Sequence, residues 1–138
     1  MKDLAIHFRF LQLYAHIAHN LCGRPTFFSD HEFLGGLYDT YEGIYDNLVE
    51  RMIGLGQEIN LFDIQNEAVQ KLNQFKSGQT SKNADFFKVI LQGEKDACKM
   101  IASIADSLTL GTNNLVAGIV DESEVRQYKM QQRLDAEV

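Results

Sequence analysis

Proline scarcity is the sequence feature that most restricts the fold. The chain of 138 residues contains one proline, Pro25, and ten glycines. Because proline interrupts helices and suits the turns between short strands, its scarcity favours long helices over a turn-rich β fold. The segment 4–22 supports this prediction, because its apolar residues recur at helical spacing. These residues are Leu4, Phe8, Leu11, Ala15, Ala18 and Leu21.

Residues that typically begin or end helices indicate the bounds of the first two helices. The first helix is predicted over residues 4–22, and it ends where Gly23 and Pro25 interrupt the pattern. The run Ser29-Asp30-His31-Glu32 matches a capping box, in which a serine hydroxyl and a glutamate three residues later bind free backbone amides. A long second helix is therefore predicted from about residue 30 to residue 54.

The second half of the chain predicts one short helix and two further long ones. Asp63 is a candidate cap for a short helix that ends near Phe75. A third long helix is predicted to begin at Ser81 or Asn83 and to end near residue 108. Thr112, which follows Gly111, is a candidate cap for a fourth long helix that ends near residue 134.

Connection lengths predict the topology. Short connections join the first helix to the second and the third to the fourth, whereas a long stretch with its own short helix joins the second to the third. An all-α four-helix bundle with one long crossover has the connectivity of ferritin-like folds. The length suits one domain over residues 1–138.

Charge and cysteine content narrow the classes of function. The net charge is −6 and the lysines are scattered, so phosphate-mediated DNA binding is not expected. No apolar run reaches the roughly 18 residues that are needed to span a membrane, so no transmembrane helix is predicted. Cys22 and Cys98 fit neither a disulfide framework nor a zinc spacing, which predicts a reducing, cytoplasmic location.

A metal-ligating quartet carries the functional signal. His19, His31, Asp46 and Glu50 are residue types that bind iron or a similar divalent ion. Asp46 and Glu50 are one helical turn apart, but on one helix His31 would lie roughly 22 Å from Asp46. One ion cannot bridge that distance. The histidines of one copy are therefore predicted to face the carboxylates of a second, antiparallel copy.

The segment from His19 to Gly56 resembles the ferroxidase segment of the Dps family, the mini-ferritins also called DNA-binding proteins from starved cells. The likeness lies in the histidine spacing, the turn between the histidines, and the aspartate and glutamate that follow. The matching runs are H19-NLC-G23-RPT-F27-FSD-H31, D46-NLV-E50-R51 and L55-G56. The run INLFDIQNEAVQKL is similar to the family's short helix between the second and third long helices, and GTNNLVAGIVDESEVRQYKMQQRL is similar to its final helix.

The resemblance implies a homo-oligomer, a dodecamer built from two-fold dimers around a cavity. It implies that Fe(II) is oxidised by hydrogen peroxide or oxygen at intersubunit sites and stored as ferric mineral, which protects against oxidative damage. The catalytic, iron-binding residues would be His19, His31, Asp46 and Glu50. An open alternative is a catalytically weakened cage that acts as a structural or DNA-protecting scaffold.

Two departures from the family pattern define further candidates. Asn20 stands where the family usually has tryptophan, and Gly35 stands where it commonly has a carboxylate. His16, one turn before His19, is a candidate replacement ligand. A ferritin site within one chain needs Glu-x-x-His pairs, and the sequence contains none. Two acidic residues of the fourth long helix are candidates for an iron channel at a three-fold axis: Asp121 and Glu124.

Overall fold

The computed structural model describes residues 1–136 and confirms an all-α fold. Five α-helices and no strand form within the described residues. They are α1 (Lys2–Leu21), α2 (Phe27–Gly54), α3 (Leu61–Asn73), α4 (Asn83–Ile104) and α5 (Leu110–Asp135). The order of four long helices, with a short one between the second and third, agrees with the sequence prediction. The packing of the long helices as one ferritin-like bundle stays a prediction.

Three predicted caps are wrong, each by a few residues. α2 begins at Phe27, and Ser29 lies within its first turn, where its hydroxyl donates to the Thr26 carbonyl rather than forming a capping box. The side chain of Asn60, not Asp63, accepts the first amides of α3. Thr109 caps α5 and accepts the amide of Thr112, the residue predicted to be the cap.

The chain divides into two compact units, and the first comprises Met1–Phe86. In this unit α1 and α2 run antiparallel, because His19 contacts His31 at one end while Phe8 contacts Tyr41 farther along. The apolar face of α1, which the sequence pattern predicts, is buried. The prediction of a single domain stays a prediction.

Helix α3 lies parallel to α1 in the same unit. The Lys71 ammonium donates to Nδ1 of the buried His7 at 2.8 Å, and Phe75 stacks on Phe10 with ring centroids 5.4 Å apart. These two contacts place α3 beside the middle of α1. The first turn of α3 therefore lies near the end of α2, which positions one side of the candidate site.

The second unit begins at Phe87 and contains an antiparallel pair formed by α5 and most of α4. Its centre is polar: the buried Glu94 carboxylate accepts two hydrogen bonds from the Arg126 guanidinium and one from Ser123. A buried carboxylate requires such partners, because desolvation would otherwise be costly. Across residues 1–136, no helix has the length and apolar content required to cross a bilayer.

Candidate metal centre

The structure brings His19 and His31 together at the turn between α1 and α2. Their rings stack with centroids 3.7 Å apart and an interplanar angle of 20°. His19 lies in the last turn of α1 and His31 in the second turn of α2, so the antiparallel pairing of the two helices aligns them. The turn between α1 and α2 therefore brings the two imidazole rings into contact.

Each histidine ring binds the backbone of the other residue. Nδ1 of His19 lies 2.7 Å from the carbonyl oxygen of His31, and Nδ1 of His31 lies 2.9 Å from the carbonyl oxygen of His19. A carbonyl oxygen only accepts hydrogen bonds, so each Nδ1 carries a proton. In the neutral ring, Nε2 then holds the lone pair. A backbone bond of this kind fixes the tautomer and ring orientation of metal-ligating histidines in proteins.

A buried polar cluster holds the turn that joins the two histidines. Asn83, at the start of α4, accepts from the Gly23 amide at 2.9 Å and donates to the Gly23 carbonyl at 2.7 Å. It also donates to the Asp30 carboxylate at 2.9 Å, which the Thr26 hydroxyl binds at 2.5 Å. Asp30 is only 2% exposed, so its charge depends on these donors. The cluster therefore fixes the shape of the turn and hence the spacing of the histidines.

Gly35 provides the space in which the His19 ring lies. A Cβ at this position would be 3.1 Å from Cε1 and 3.2 Å from Nδ1 of His19. Real Cβ contacts are seldom this short, so a side chain here would press the ring away from its place. The imidazole of His19 thus occupies the volume that a side chain at position 35 would need.

Two aromatic residues border the histidine pair. Phe27 stacks on His31 with centroids 4.7 Å apart, and Tyr38 contacts the His19 ring edge to face at 5.3 Å. His16, the candidate replacement ligand, is exposed and stacks on Tyr38 with ring centroids 4.1 Å apart. Its ring centroid is 6.3 Å from that of His19. His16 therefore lies beside the pair, with Tyr38 as its stacking partner.

The carboxylates of Asp46 and Glu50 lie near the other end of α2. Both side chains are exposed and line a surface pocket of about 560 Å³. The Arg9 guanidinium covers the Tyr45 ring of this pocket, 3.7 Å from its centroid. The remaining wall comes from α2 and from the first turns of α3, namely Val49, Ile53, Leu61, Phe62 and Gln65.

The two halves of the quartet are separated along one uninterrupted helix. α2 is helical from Phe27 to Gly54, so His31 and Asp46 lie roughly 22 Å apart along its axis. Within the described part of the chain, no group of three His, Cys, Asp or Glu side chains could hold a metal ion. One copy of the protein thus presents two half-sites.

The remaining candidates lie elsewhere. Asp121 and Glu124 are exposed on α5, in the second unit, where a channel role stays a prediction.

Burial, and then the nearby Asp30 carboxylate, raises the pKa of the Cys22 thiol. A thiol with a raised pKa is a poor nucleophile and metal ligand at neutral pH.

Sequence reasoning missed the residues that support the histidines. Asp30 lies in the run that matches a capping box, but its carboxylate accepts hydrogen bonds from Thr26 and Asn83. Asn83 is 60 residues from the Gly23 backbone that it binds, and no local pattern indicates such a contact. The contact of Gly35 with the His19 ring depends on the packing of α1 on α2, which the sequence pattern does not indicate.

No known protein family, curated protein or solved structure matches the chain.

Proposed function

We propose that this protein is a mini-ferritin of the Dps type, which binds Fe(II) between subunits and oxidises it. The observation that carries the proposal is the reciprocal bonding of His19 and His31, which leaves the Nε2 atom of each ring free to bind a metal. Imidazole nitrogen and carboxylate oxygen together form a donor set that suits iron. The exposed Asp46 and Glu50 supply the oxygens from a second copy.

Each residue type has a separate task in this proposal. The neutral histidines favour Fe(II), whereas the carboxylates stabilise the more highly charged Fe(III) product. Glu50 is the candidate for a bidentate or bridging contact. Each Fe(II) gives up one electron, and one hydrogen peroxide takes up two electrons and two protons to form two waters. Oxygen is the alternative oxidant, and the ferric product is stored as mineral.

The proposed assembly follows from the separation of the half-sites. Antiparallel pairing of α2 with the α2 of a second copy would place each histidine pair opposite the partner's carboxylates. Two equivalent sites would result, roughly 22 Å apart. The further proposal, by resemblance, is that such dimers build a hollow dodecamer of ferritin-like four-helix bundles.

Iron oxidation by the purified protein tests the function. Ferric formation would be followed by absorbance after addition of Fe(II), first with oxygen and then with peroxide. We expect the protein to accelerate oxidation above buffer with at least one oxidant, and His31→Ala to abolish the acceleration. His16→Ala is the matched control, because His16 makes no reciprocal carbonyl contact of the kind that orients His31. We expect it to retain most of the rate.

Two results would contradict the proposal. One is ferric formation no faster than in buffer with both oxidants. The other is a rate that His31→Ala leaves unchanged. A protein that forms a stable cage and yet gives either result would support the scaffold alternative, and a stable monomer in solution would exclude the intersubunit site.

A further inference from the structure

Two exposed features, a phenylalanine ring and a pocket, lie on one side of α2. Phe28, in the first turn, projects into solvent and is 86% exposed. Near the other end, Asp46 and Ile53 line the pocket of about 560 Å³. Phe28 and Asp46 are 18 residues apart, which is about five helical turns, so they point in the same direction. A protruding ring and a concavity thus share one face of the helix.

The lining of the pocket suits the binding of an aromatic ring. Apolar groups dominate its wall: Val49 and Ile53 from α2, and Leu61 and Phe62 from α3. Phe62 is 89% exposed and Ile53 is 53% exposed, which leaves a large apolar area in water. Clustered exposed apolar residues of this kind mark interaction sites on soluble proteins.

The alignment of the two α2 helices in the dimer is taken from the proposed function, and this inference rests on that function for the alignment. If His31 faces the partner's Asp46 and Glu50, the two-fold axis passes near Asp39. Phe28 then faces the stretch 49–53 of the partner's α2, which lines the pocket. Gly36 and Gly43 lie near this axis and carry no side chain. A Cβ at either position would meet nothing within 4 Å in the same chain, so both face open space.

We propose that the Phe28 ring of each copy inserts into the pocket that the partner forms between the end of α2 and the start of α3. A two-fold interface requires a self-complementary surface, and a protrusion at one end of a helix with a pocket at the other meets this requirement. Both rings would be buried by one symmetric contact. Phe28 lies three residues before His31, so its insertion would lock the histidines in register with the partner's carboxylates.

Site-specific crosslinking tests the contact. In a background of Cys22→Ala and Cys98→Ser, the double variant Phe28→Cys/Ile53→Cys would be treated with a short thiol-to-thiol crosslinker. The two positions are roughly 37 Å apart within one helix, so the reagent cannot join them within a chain. At protein concentrations at which ultracentrifugation shows this variant to be dimeric, we expect covalent dimers in high yield. Phe28→Cys alone is the matched control, because its two copies would lie roughly 33 Å apart across the axis, and we expect no dimer.

The outcomes separate this inference from the proposed function. Dimers that crosslink as expected, in a protein that does not oxidise iron, support the contact and contradict the function. A protein that forms dimers and oxidises iron through His31, but does not crosslink, contradicts the contact alone. Equal crosslinking by Phe28→Cys alone would also overturn the contact, because it requires a different register.

Dimer affinity gives a second measurement. Phe28→Ala removes two inserted rings from each dimer, so we expect the dissociation constant to rise by about 100-fold or more, measured by analytical ultracentrifugation. Leu110→Ala is the control, because Leu110 is 89% exposed on α5 in the second unit and its loss should leave this dimer unchanged. An unchanged dissociation constant for Phe28→Ala would overturn the inference.

Discussion

The two ends of α2 differ in how completely one chain builds them. At the start of α2, His31 is stacked, hydrogen-bonded and held by a turn that Asp30 and Asn83 brace. Near its end, Asp46 and Glu50 stand exposed at the edge of an open pocket. Preorganised ligands lose little entropy on binding, whereas exposed carboxylates become ordered only when a metal or partner reaches them. We infer that the histidine end is the fixed half of the proposed site.

Subunit complementation would test this difference most strongly. We expect His31→Ala, and separately Asp46→Asn/Glu50→Gln, each to slow iron oxidation roughly 100-fold or more, because each removes ligands from every site. Mixed dimers of the two variants would carry one intact site, made from the unmutated halves of both chains. After dissociation and reassembly, the mixture should recover about a quarter of the native rate.

Stopped-flow oxidation assays of the separate variants and the mixture would provide the measurement. Asp106→Asn, an exposed acid of the second unit, is the control and should leave the rate unchanged. A mixture no faster than its components, despite demonstrated exchange of subunits, would show that the two halves do not combine across an interface.

Removal of the Asn83 side chain, which holds the turn between the two histidines, should destabilise the fold. Asn83→Ala deletes the bonds to both Gly23 backbone groups and leaves the buried Asp30 carboxylate with one donor fewer. We expect the free energy of unfolding to fall by about 2–4 kcal/mol, because a buried carboxylate loses one hydrogen-bond donor and the Gly23 backbone groups lose their partner. Urea denaturation would measure the loss. Asn66→Ala, an exposed asparagine of α3, should change the stability by less than about 0.5 kcal/mol.

Alkaline titration measures how the buried Tyr14 phenol contributes to the stability of the fold. Burial, and then the Asp85 carboxylate, raises the pKa of Tyr14 from 10.0 to about 12. Below pH 10 both states keep the phenol proton, but between pH 10 and about 12 only the unfolded state releases it. The free energy of unfolding should therefore fall by roughly 2–3 kcal/mol across that range.

The measurement is urea denaturation at several alkaline pH values. Tyr14→Phe should remove this part of the pH dependence, whereas Tyr128→Phe, at an exposed position of α5, should preserve it. An identical alkaline decline in Tyr14→Phe and the native protein would contradict the assignment to Tyr14.

The glycine pair of α2 gives the smallest and most local test. Gly35→Ala places a methyl group 3.1 Å from the His19 ring, so the ring must shift by a few tenths of an ångström. We expect iron oxidation to slow by about 10-fold, because small displacements of reacting groups reduce rates steeply. Gly36→Ala is the adjacent control: its Cβ meets nothing within 4 Å, and it should raise stability by about 0.5–1 kcal/mol.

Thermal denaturation and the same oxidation assay would check both glycine variants. If Gly35→Ala kept the full rate, the His19 ring position would have no bearing on the proposed chemistry. If Gly36→Ala also slowed oxidation, the cause would be a change at the exposed surface of α2 rather than displacement of the His19 ring.

The sequence by itself determined the helical class and the order of the helices. One proline in 138 residues and a helical recurrence of apolar positions leave few other solutions. The cap residues were harder to predict, because several polar residues near each helix start could accept the first amides. Thr109 and Asn60 took that role instead of Thr112 and Asp63, since cap choice depends on backbone geometry at the junction.

The spacing of His31, Asp46 and Glu50 also followed from the sequence, because one continuous helix fixes distances along its axis. Only the tertiary structure decided how the histidines are held. The His19–His31 stack, the place of Gly35 beneath it and the 60-residue contact from Asn83 to Gly23 all depend on packing between helices. Such contacts leave no periodic trace in the chain, because each is formed by side chains that meet only after the helices have packed.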